Sequence, residues 1–296
     1  MRAVVTGGCG FIGSNLAVEL VERGHEVTVL DDMFLGTRED LEGYEEEIEI
    51  VEGDVRSREA VRECCEDADV VFHNAARSSA PMHKDEPVEG ADVNLLGFLN
   101  VMEEARENDF KVVYASTSSM YGSIDPPHRE NSGEEPVNLY SASKMSRELY
   151  ATVYDHAYDV DTVGLRYFSV YGPRERAKGR YANLVSQFMW KMMDGERPEI
   201  WGDGSRTRDF TYVEDIVRGN ISAAESDVSG EVINLGTGQE TRLDELVELL
   251  NQELGTDIEP VNAEHPKKNK VMRTRADISK ARNLLDWEPE VISKKV

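Results

Sequence analysis

The chain has 296 residues, which is enough for one large α/β domain or for a main domain with a smaller appendage. Its formal net charge of −25 comes from 58 acidic and 33 basic residues spread along the sequence, which argues against nucleic acid or anionic membrane as a partner. No apolar run could span a bilayer and no charged and then apolar leader precedes Val4, so we expect a cytoplasmic protein.

Lysine is scarce among the basic residues, with 11 Lys against 22 Arg. One explanation is an ordinary acidic enzyme. The other is adaptation to high salt, because a Lys-poor carboxylate surface stays solvated while salt screens its self-repulsion. Charge and lysine depletion together favour adaptation to high salt.

The three cysteines do not indicate a metal site or a structural disulfide. Cys64 and Cys65 are adjacent and have no metal-ligating partner at a useful spacing, and Cys9 lies within a glycine-rich segment. The histidines show no metal spacing either. We therefore expect no bound metal.

Short apolar strands alternate with helical segments through the first part of the chain, which predicts a parallel sheet covered by helices. In chain order the pattern predicts strand 2–6, helix 11–23, strands 26–30 and 49–52, helix 58–66, strand 69–73, helix 88–107, strand 111–115, helix 139–156 and strand 162–166. After Gly172, Pro and Gly separate shorter elements. We therefore predict a domain of residues 1–172, completed by a strand returning from 213–236, and a smaller domain formed mainly by residues 173–296.

The turn after the first strand is rich in glycine and reads Thr6-Gly-Gly-Cys-Gly-Phe-Ile-Gly13. Glycines there let the backbone turn tightly and approach a pyrophosphate, which then lies on the amides at the helix N-terminus. Asp31 ends the second strand, where a carboxylate accepts hydrogen bonds from ribose hydroxyls and repels a 2′-phosphate. The sequence therefore predicts NAD as the cofactor, in preference to NADP.

Other residues near the strand ends are expected to contact the cofactor. Asp54 is a candidate adenine contact, although a surface turn explains it equally well. Asn74-Ala-Ala76 offers small side chains where the backbone must pass close to the cofactor. The full predicted set is Gly7, Gly10, Phe11, Ile12, Gly13, Asp31, Asp32, Asp54, Val55, Ala75, Ala76, Asn94, Tyr140, Lys144 and Tyr167.

Tyr140 and Lys144 stand four residues apart on a predicted helix, so their side chains share one face. The ammonium of Lys144 can favour ionisation of the phenol, whose ordinary pKa is too high for a base at neutral pH. A base beside a nicotinamide removes a proton and a hydride from one alcohol carbon. The pair is a weak signal alone and a strong one together with the glycine-rich turn.

Five stretches together resemble the extended short-chain dehydrogenase/reductases, specifically the nucleotide-sugar epimerase/dehydratase family. They are Val5–Gly13, Ala115–Gly122, Tyr140–Lys144, Leu165–Pro173 and Gly202–Phe210. The resemblance implies a Rossmann-type doubly wound sheet and a smaller C-terminal α/β domain that holds a sugar nucleotide. It also implies catalytic roles for Thr117, Tyr140 and Lys144, with Asn94 bracing the site, and a homodimer that pairs through the helices near 88–107 and 139–156.

Ser118 and Ser119 distinguish between the reactions of this family. Its dehydratases carry Asp-Glu after the hydroxyl residue, and its uronate decarboxylases carry Glu two positions after it. Neither carboxylate is present, which favours 4-epimerisation of a UDP-sugar of the UDP-glucose/UDP-galactose type through a transient 4-keto sugar. A decarboxylase or dehydratase and a non-catalytic NAD-binding regulator remain the alternatives.

The resemblance also indicates which residues bind the substrate: Thr117, Ser169, Asn183, Trp201, Arg208 and Arg273. Trp201 corresponds to the strand that faces uracil and Arg208 to an arginine that binds diphosphate. An ion pair with Asp209 or Asp215 is the alternative for Arg208. Two positions depart from the family, since Ser169 replaces the usual Asn and Lys267-Lys-Asn-Lys270 replaces Arg-Pro-Gly-Asp. The second diphosphate cation is therefore Lys267, Arg273 or Arg275.

Overall fold

The computed structural model describes residues 1–264 and 271–291. Lys267, one candidate for the second diphosphate cation, lies outside these residues. The strands are β1 (Arg2–Thr6), β2 (Glu26–Asp31), β3 (Ile48–Glu52), β4 (Val70–His73), β5 (Lys111–Thr117), β6 (Thr162–Tyr167), β7 (Val170–Tyr171), β8 (Glu199–Trp201), β9 (Thr207–Arg208), β10 (Thr211–Tyr212), β11 (Glu231–Leu235), β12 (Thr241–Arg242) and β13 (Val261–Ala263).

Within the described residues, ten α-helices connect and cover the strands. They are α1 (Phe11–Glu22), α2 (Arg58–Cys65), α3 (Ala80–Asp85), α4 (Pro87–Ala91), α5 (Gly97–Asn108), α6 (Leu139–Tyr158), α7 (Leu184–Met193), α8 (Val213–Glu225), α9 (Leu243–Leu254) and α10 (Ser279–Leu285). Short 3₁₀ turns occupy Arg38–Leu41, Ser118–Tyr121 and Arg176–Tyr181, and a π-helical turn occupies Asp92–Leu96. No helix in the described part of the chain is long and apolar enough to cross a bilayer.

Seven parallel strands form the main sheet in the order β11-β6-β5-β4-β1-β2-β3. Strands β2 and β3 follow in sequence on one side of β1, whereas β4, β5 and β6 follow in sequence on its other side. The strand order therefore reverses beside β1. Ligands of doubly wound sheets bind in the crevice at this reversal, beyond the carboxyl ends of the strands. The predicted Rossmann-type α/β fold is confirmed.

The main sheet is buried on both faces, which explains why its strands are runs of Val, Ile and Leu rather than alternating patterns. Helices α1, α8 and α10 cover one face, where Leu16 and Ile216 are buried. Helices α2, α5 and α6 cover the other, where Phe98 and Tyr154 are buried. With both faces covered, the carboxyl edge of the sheet remains for a ligand.

A smaller unit packs beyond β6 and is built from short elements. Its two-stranded pairs are β7 with β10, β8 with β13, and β9 with β12. Helices α7 and α9 pack on these pairs around Phe188, Ile200 and Leu246. Strand β11 belongs to the main sheet. The chain therefore leaves the smaller unit to form β11 and enters the smaller unit again at β12.

The predicted helix near 88–107 is helical throughout, as α4, a π-helical turn at Asp92–Leu96 and α5, but the π turn itself was not predicted. A π turn inserts a residue and re-aims the side chains beside it. Here it carries Asn94, whose side chain reaches the backbone of Arg77 and the hydroxyl of Ser143. The short helix α3 was also not predicted.

Candidate active site

A cavity of about 1070 Å³ opens along the carboxyl edge of the main sheet and continues against the smaller unit. The ends of β1, β2, β4, β5 and β6 all contribute to its wall. Of the predicted site residues, the following line it: Gly7, Gly10, Phe11, Ile12, Gly13, Asp31, Asp32, Val55, Ala75, Ala76, Thr117, Tyr140, Lys144, Tyr167, Ser169, Asn183, Trp201 and Arg208. The fold therefore brings together residues that are up to two hundred positions apart.

The glycine-rich turn forms one end of the cavity. Gly7 has φ of +69°, and a Cβ atom on it would lie 2.7 Å from the amide nitrogen of Ala75. A Cβ atom on Gly13 would overlap the carbonyl oxygen of Gly7. Helix α1 begins at Phe11 with no side-chain cap, so its first amides face the cavity without a competing side-chain acceptor. This geometry fits the pyrophosphate of a dinucleotide.

Asp31 is held rigidly at the carboxyl end of β2. It is buried, and its two carboxylate oxygens accept hydrogen bonds from the amides of Cys9 and Met33, both at 2.9 Å. Burial raises the pKa of this carboxyl, while the two amide hydrogen bonds oppose the rise. A ribose at this end of the cavity would therefore meet a positioned acceptor.

Asp32 differs from Asp31 because its carboxylate is paired with a cation. Both terminal nitrogens of Arg77 lie 3.1 Å from its Oδ2 atom. Arg77 also bonds Glu89 at 2.9 Å and stacks on the ring of Phe34 at 3.8 Å. The sequence did not indicate Arg77 as a site residue, because its partners lie on separate segments.

Thr117, Tyr140 and Lys144 all line the cavity, where the end of β5 meets the first turns of α6. The Tyr140 hydroxyl is hydrogen-bonded to the side chain of Thr117. Lys144 is buried, and its Nζ atom donates to the carbonyl oxygen of Ala115 at 2.8 Å. A helix brings the phenol and the ammonium to one face, and β5 supplies the hydroxyl.

Burial has the largest effect on the pKa values of Tyr140 and Lys144. Burial raises the pKa of the Tyr140 phenol, while the Thr117 hydrogen bond and the charge of Arg147 oppose the rise. Burial also lowers the pKa of Lys144 well below its usual value. The positive charge that opposes the rise of the phenol pKa comes from Arg147.

Arg147 follows Lys144 by three residues on α6 and is completely buried. Its Nε atom donates to the carbonyl oxygen of Asn94 at 2.5 Å, and its Nη2 atom donates to that of Ala75 at 2.9 Å. It ties α6 to the π turn and to the end of β4. Arg147 lies one helical turn after Lys144, and this spacing was a signal in the sequence that could have identified Arg147 as a residue near the site.

Ser118 and Ser119 line the cavity directly after Thr117. The amide of Ser119 donates to the Thr117 hydroxyl at 3.1 Å. The lining carboxylates are Asp31 and Asp32 beside the glycine-rich turn and Asp85 on α3, which is exposed and 3.4 Å from Arg180. Thus the two positions after Thr117 bring hydroxyl groups rather than carboxylates to this part of the wall.

The smaller unit contributes Ser169, Asn183, Trp201 and Arg208 to the wall. Arg208 donates to the carbonyl oxygens of Thr207 at 2.6 Å and Val271 at 3.2 Å, and no carboxylate among the described residues pairs with it. Burial lowers its pKa to about 10, so it stays charged at neutral pH. Both ion pairs proposed as alternatives are absent within residues 1–264 and 271–291, which leaves its charge available to an anion.

Three predicted site residues lie outside the cavity wall. Asp54 forms an ion pair with Arg56 at 2.5 Å, although its neighbours Gly53 and Val55 line the cavity. Asn94 is buried behind the wall and accepts a hydrogen bond from the amide of Arg77 at 2.8 Å. Arg273 is exposed and forms an ion pair with Glu240 at 2.7 Å. Asn94 supports the wall indirectly, and the binding roles of Asp54 and Arg273 stay predictions.

No cluster of potential metal ligands occurs in the described residues. The glycine-rich turn, Asp31 and the Tyr140–Lys144 pair define an enzyme of the Rossmann class that uses a dinucleotide. Residues 3–236 match the model of the NAD dependent epimerase/dehydratase family. The chain belongs to this family, which confirms the resemblance drawn from the sequence and the prediction of NAD as cofactor.

Relatives in this family perform more than one reaction. UDP-glucose 4-epimerase of Mycolicibacterium smegmatis is 36% identical over 98% of this chain and 94% of its own length. UDP-N-acetyl-alpha-D-glucosaminuronate decarboxylase of Bacillus cytotoxicus is 31% identical over 98% of this chain and 93% of its own. The crystal structure of UDP-glucose 4-epimerase with UDP-glucose from Thermotoga maritima superposes with a TM-score of 0.94, at 34% identity, over 100% of this chain and 96% of that one.

Proposed function

We propose that this protein is an NAD-dependent 4-epimerase of a UDP-sugar, of the UDP-glucose/UDP-galactose type. The observation that carries the proposal is the hydrogen-bonded pair of Thr117 and Tyr140 beside Lys144, followed by Ser118 and Ser119. A base and a hydroxyl suffice to move one proton at the sugar 4-position, whereas elimination also needs an added acid and base. The similarity to UDP-glucose 4-epimerases supports this reading.

Each of the three residues has a role in the proposed reaction. Tyr140 removes the proton from the sugar 4-hydroxyl and later returns it, while Thr117 holds that oxygen. Bound NAD supplies a hydride acceptor that carries a positive charge in its oxidised form. That charge would act on the phenol together with Arg147 and oppose the effect of burial on its pKa. Lys144 would orient the cofactor ribose and the 4-keto sugar would turn over before reduction at its other face.

The smaller unit is proposed to hold the sugar nucleotide, so residues 173–296 act mainly as the substrate domain and 1–172 as the NAD domain. Arg208 would bind the diphosphate, because a guanidinium matches paired phosphate oxygens. Asn183 caps α7 and would contribute a further diphosphate contact. Trp201, which is 42% exposed, would face the uracil, and Arg273 would supply the second cation after exchanging its partner Glu240.

The product of the reaction distinguishes the proposal from its alternatives. Pure protein should be incubated with a panel of UDP-sugars that includes UDP-glucose, UDP-galactose, their N-acetyl forms and UDP-glucuronate. A product of unchanged mass that differs only at the 4-position supports epimerisation. Loss of carbon dioxide or of water would instead establish a decarboxylase or a dehydratase, and a protein that binds NAD but converts none of them would be a regulator.

Tyr140→Phe is the matched control because it removes the phenol oxygen and keeps the ring. We expect turnover to fall by about 100-fold or more while bound NAD remains, since the general base is lost and the packing is kept. Lys144→Ala should lower both turnover and NAD content. Wild-type turnover in Tyr140→Phe would contradict the assignment of the base.

We also propose a homodimer that pairs through α5 and α6. Leu96, Leu149, Tyr150 and Val153 are exposed apolar residues on this side, with exposures of 44%, 60%, 42% and 55%. Light scattering should give twice the chain mass, and Leu149→Glu with Val153→Glu should give the monomer. Val261→Glu is the control, because Val261 is 41% exposed on β13. A wild-type monomer at working concentration in high salt would refute the proposal.

The acidic composition supports adaptation to high salt in the cytoplasm. A charge of −25 repels itself most strongly when it is unscreened. The three cysteines are free thiols, which suits a reducing compartment. Cell fractionation with an antibody against the protein would test the location, and activity in molar KCl would test the adaptation.

A further inference from the structure

His83 is buried beside the proposed catalytic tyrosine, although it does not line the cavity. It lies on α3, is 1% exposed, and contacts the Tyr140 ring edge-on with 5.5 Å between ring centroids. A buried histidine must satisfy two ring nitrogens. The partners of these nitrogens connect His83 to the segments that hold Tyr140.

The partners determine the protonation of the ring. Nδ1 lies 3.2 Å from the carbonyl oxygen of Ser79, which can only accept, so Nδ1 carries the proton. Nε2 is then an acceptor in the neutral ring, and it lies 3.2 Å from Nδ2 of Asn94 and 3.3 Å from the hydroxyl of Ser143. Burial lowers the pKa of His83, and the charges of Lys144 and Arg147 on α6 lower it further. Hydrogen bonds with the backbone of Ser79 and Gly90 oppose this fall, and the net direction favours the neutral imidazole.

Asn94 is oriented to serve this acceptor. Its Oδ1 atom accepts from the amide of Arg77 at 2.8 Å, which makes the nitrogen Nδ2 the donor, and Nδ2 lies 3.3 Å from the carbonyl oxygen of Arg77. Nδ2 donates to the hydroxyl of Ser143 at 2.9 Å and to His83, and that hydroxyl donates to the carbonyl oxygen of Tyr140 at 2.8 Å. A chain of hydrogen bonds thus runs from α3 through the π turn to the first turn of α6.

Gly90 provides the space for the imidazole. A Cβ atom on Gly90 would lie 2.7 Å from Cδ2 and 2.9 Å from Nε2 of His83. The histidine and the glycine therefore fit as a pair. Since nothing larger than glycine fits against the ring as it stands, the position of the ring is fixed from three sides: α4, α6 and the π turn.

We propose that His83 is a positioning residue for Tyr140. Its Nε2 acceptor holds Nδ2 of Asn94, which also donates to the Ser143 hydroxyl, and its ring edge supports the phenol beside Thr117. The inference rests on the proposed function of Tyr140 as the base. A misplaced base costs rate rather than substrate affinity, so His83 should affect kcat more than KM.

Two substitutions distinguish the role of the Nε2 acceptor of His83 from the role of its aromatic ring. His83→Phe keeps an aromatic edge beside Tyr140 and removes the acceptor, whereas His83→Gln keeps an acceptor near the position of Nε2. We expect His83→Phe to lower kcat by about 10-fold or more with bound NAD unchanged, and His83→Gln to retain at least about threefold more kcat than His83→Phe. Equal kcat in the two variants, or a loss explained by lost NAD, would overturn the proposal.

Gly90→Ala tests the same contact without altering either aromatic ring, and alanine favours the helix in which Gly90 lies. It should lower kcat because its methyl group displaces the imidazole. Should His83→Phe not fold, Gly90→Ala takes its place, and wild-type kcat in it would overturn the proposal.

A titration of the phenol separates this inference from the proposed function. The phenolate absorbance of wild type minus that of Tyr140→Phe reports Tyr140 without any turnover. Its midpoint should rise by about half a pH unit or more in the His83→Phe background, because the Thr117 hydrogen bond that favours ionisation is weakened. If wild type epimerises no UDP-sugar, the proposed function fails, and this midpoint still decides the role of His83: an unchanged midpoint refutes it.

Discussion

Replacing Asp31 tests the cofactor end of the cavity most directly. The carboxylate is 6% exposed and accepts the amides of Cys9 and Met33, both at 2.9 Å. Asp31→Ala leaves two amides without their acceptor, at a cost of about 1–3 kcal/mol each when no water replaces it. We therefore expect the free energy of unfolding to fall by about 2–6 kcal/mol.

The effect on NAD binding is separate from this loss of stability. A ribose diol can donate two hydrogen bonds to a charged carboxylate, each worth about 1.5–3 kcal/mol. Asp31→Ala should therefore weaken NAD binding by about 100-fold or more. NADP should lose less, because removing the carboxylate also removes its repulsion of the 2′-phosphate. Calorimetric titration with both cofactors, at a temperature where circular dichroism shows the variant folded, measures the change in preference.

Two further variants make the result specific. Asp31→Asn keeps the size of the side chain and one acceptor, so NAD affinity should fall between those of wild type and Asp31→Ala. Asp40→Ala removes a nearby charge outside the cavity wall and should leave the preference unchanged. Equal affinity of wild type for NAD and NADP, or an unchanged preference in Asp31→Ala, would refute the reasoning.

Three other predictions concern stability. Ser169 has φ of +30°, so Ser169→Asn should raise the free energy of unfolding in urea by about 0.5–1 kcal/mol, because asparagine tolerates positive φ better; a fall would contradict this. Tm should rise from low to molar KCl as the charge of −25 is screened, and an indifferent Tm would favour an ordinary acidic enzyme. Burial raises the pKa of Asp209 from 3.8 to about 6, so the folded chain binds this proton more tightly than the unfolded chain. Wild type should lose stability relative to Asp209→Asn as pH rises from about 4 to 7, and a gain would show the sign to be wrong.

The sheet and the glycine-rich turn were predictable because their signals are local. A buried parallel strand is a short apolar run, and the tight turn into α1 requires glycine at Gly7 and Gly13 whatever else the chain does. The shared face of Tyr140 and Lys144 follows from helical spacing alone. These features depend on residues that are close in sequence, so the sequence pattern was sufficient to predict them.

The π turn within the predicted helix over 88–107 was not predictable in this way. The π turn carries Asn94, whose partners at Arg77, His83 and Ser143 come from three other segments. Its residues have ordinary helical composition, and the cost of the irregular turn is offset by hydrogen bonds that form only in the folded chain. Sequence periodicity contains no information about hydrogen bonds between distant segments.

The sequence by itself determined the class of fold and the family, because these follow from short motifs in a set order, and the same motifs indicated most of the predicted residues that line the cavity. The tertiary structure decided their chemical state. Burial raises the pKa of Tyr140 and lowers that of Lys144, and the charge of Arg147 opposes the rise at Tyr140. Desolvation and distance are properties of the packed chain, and residue spacing specifies neither of them.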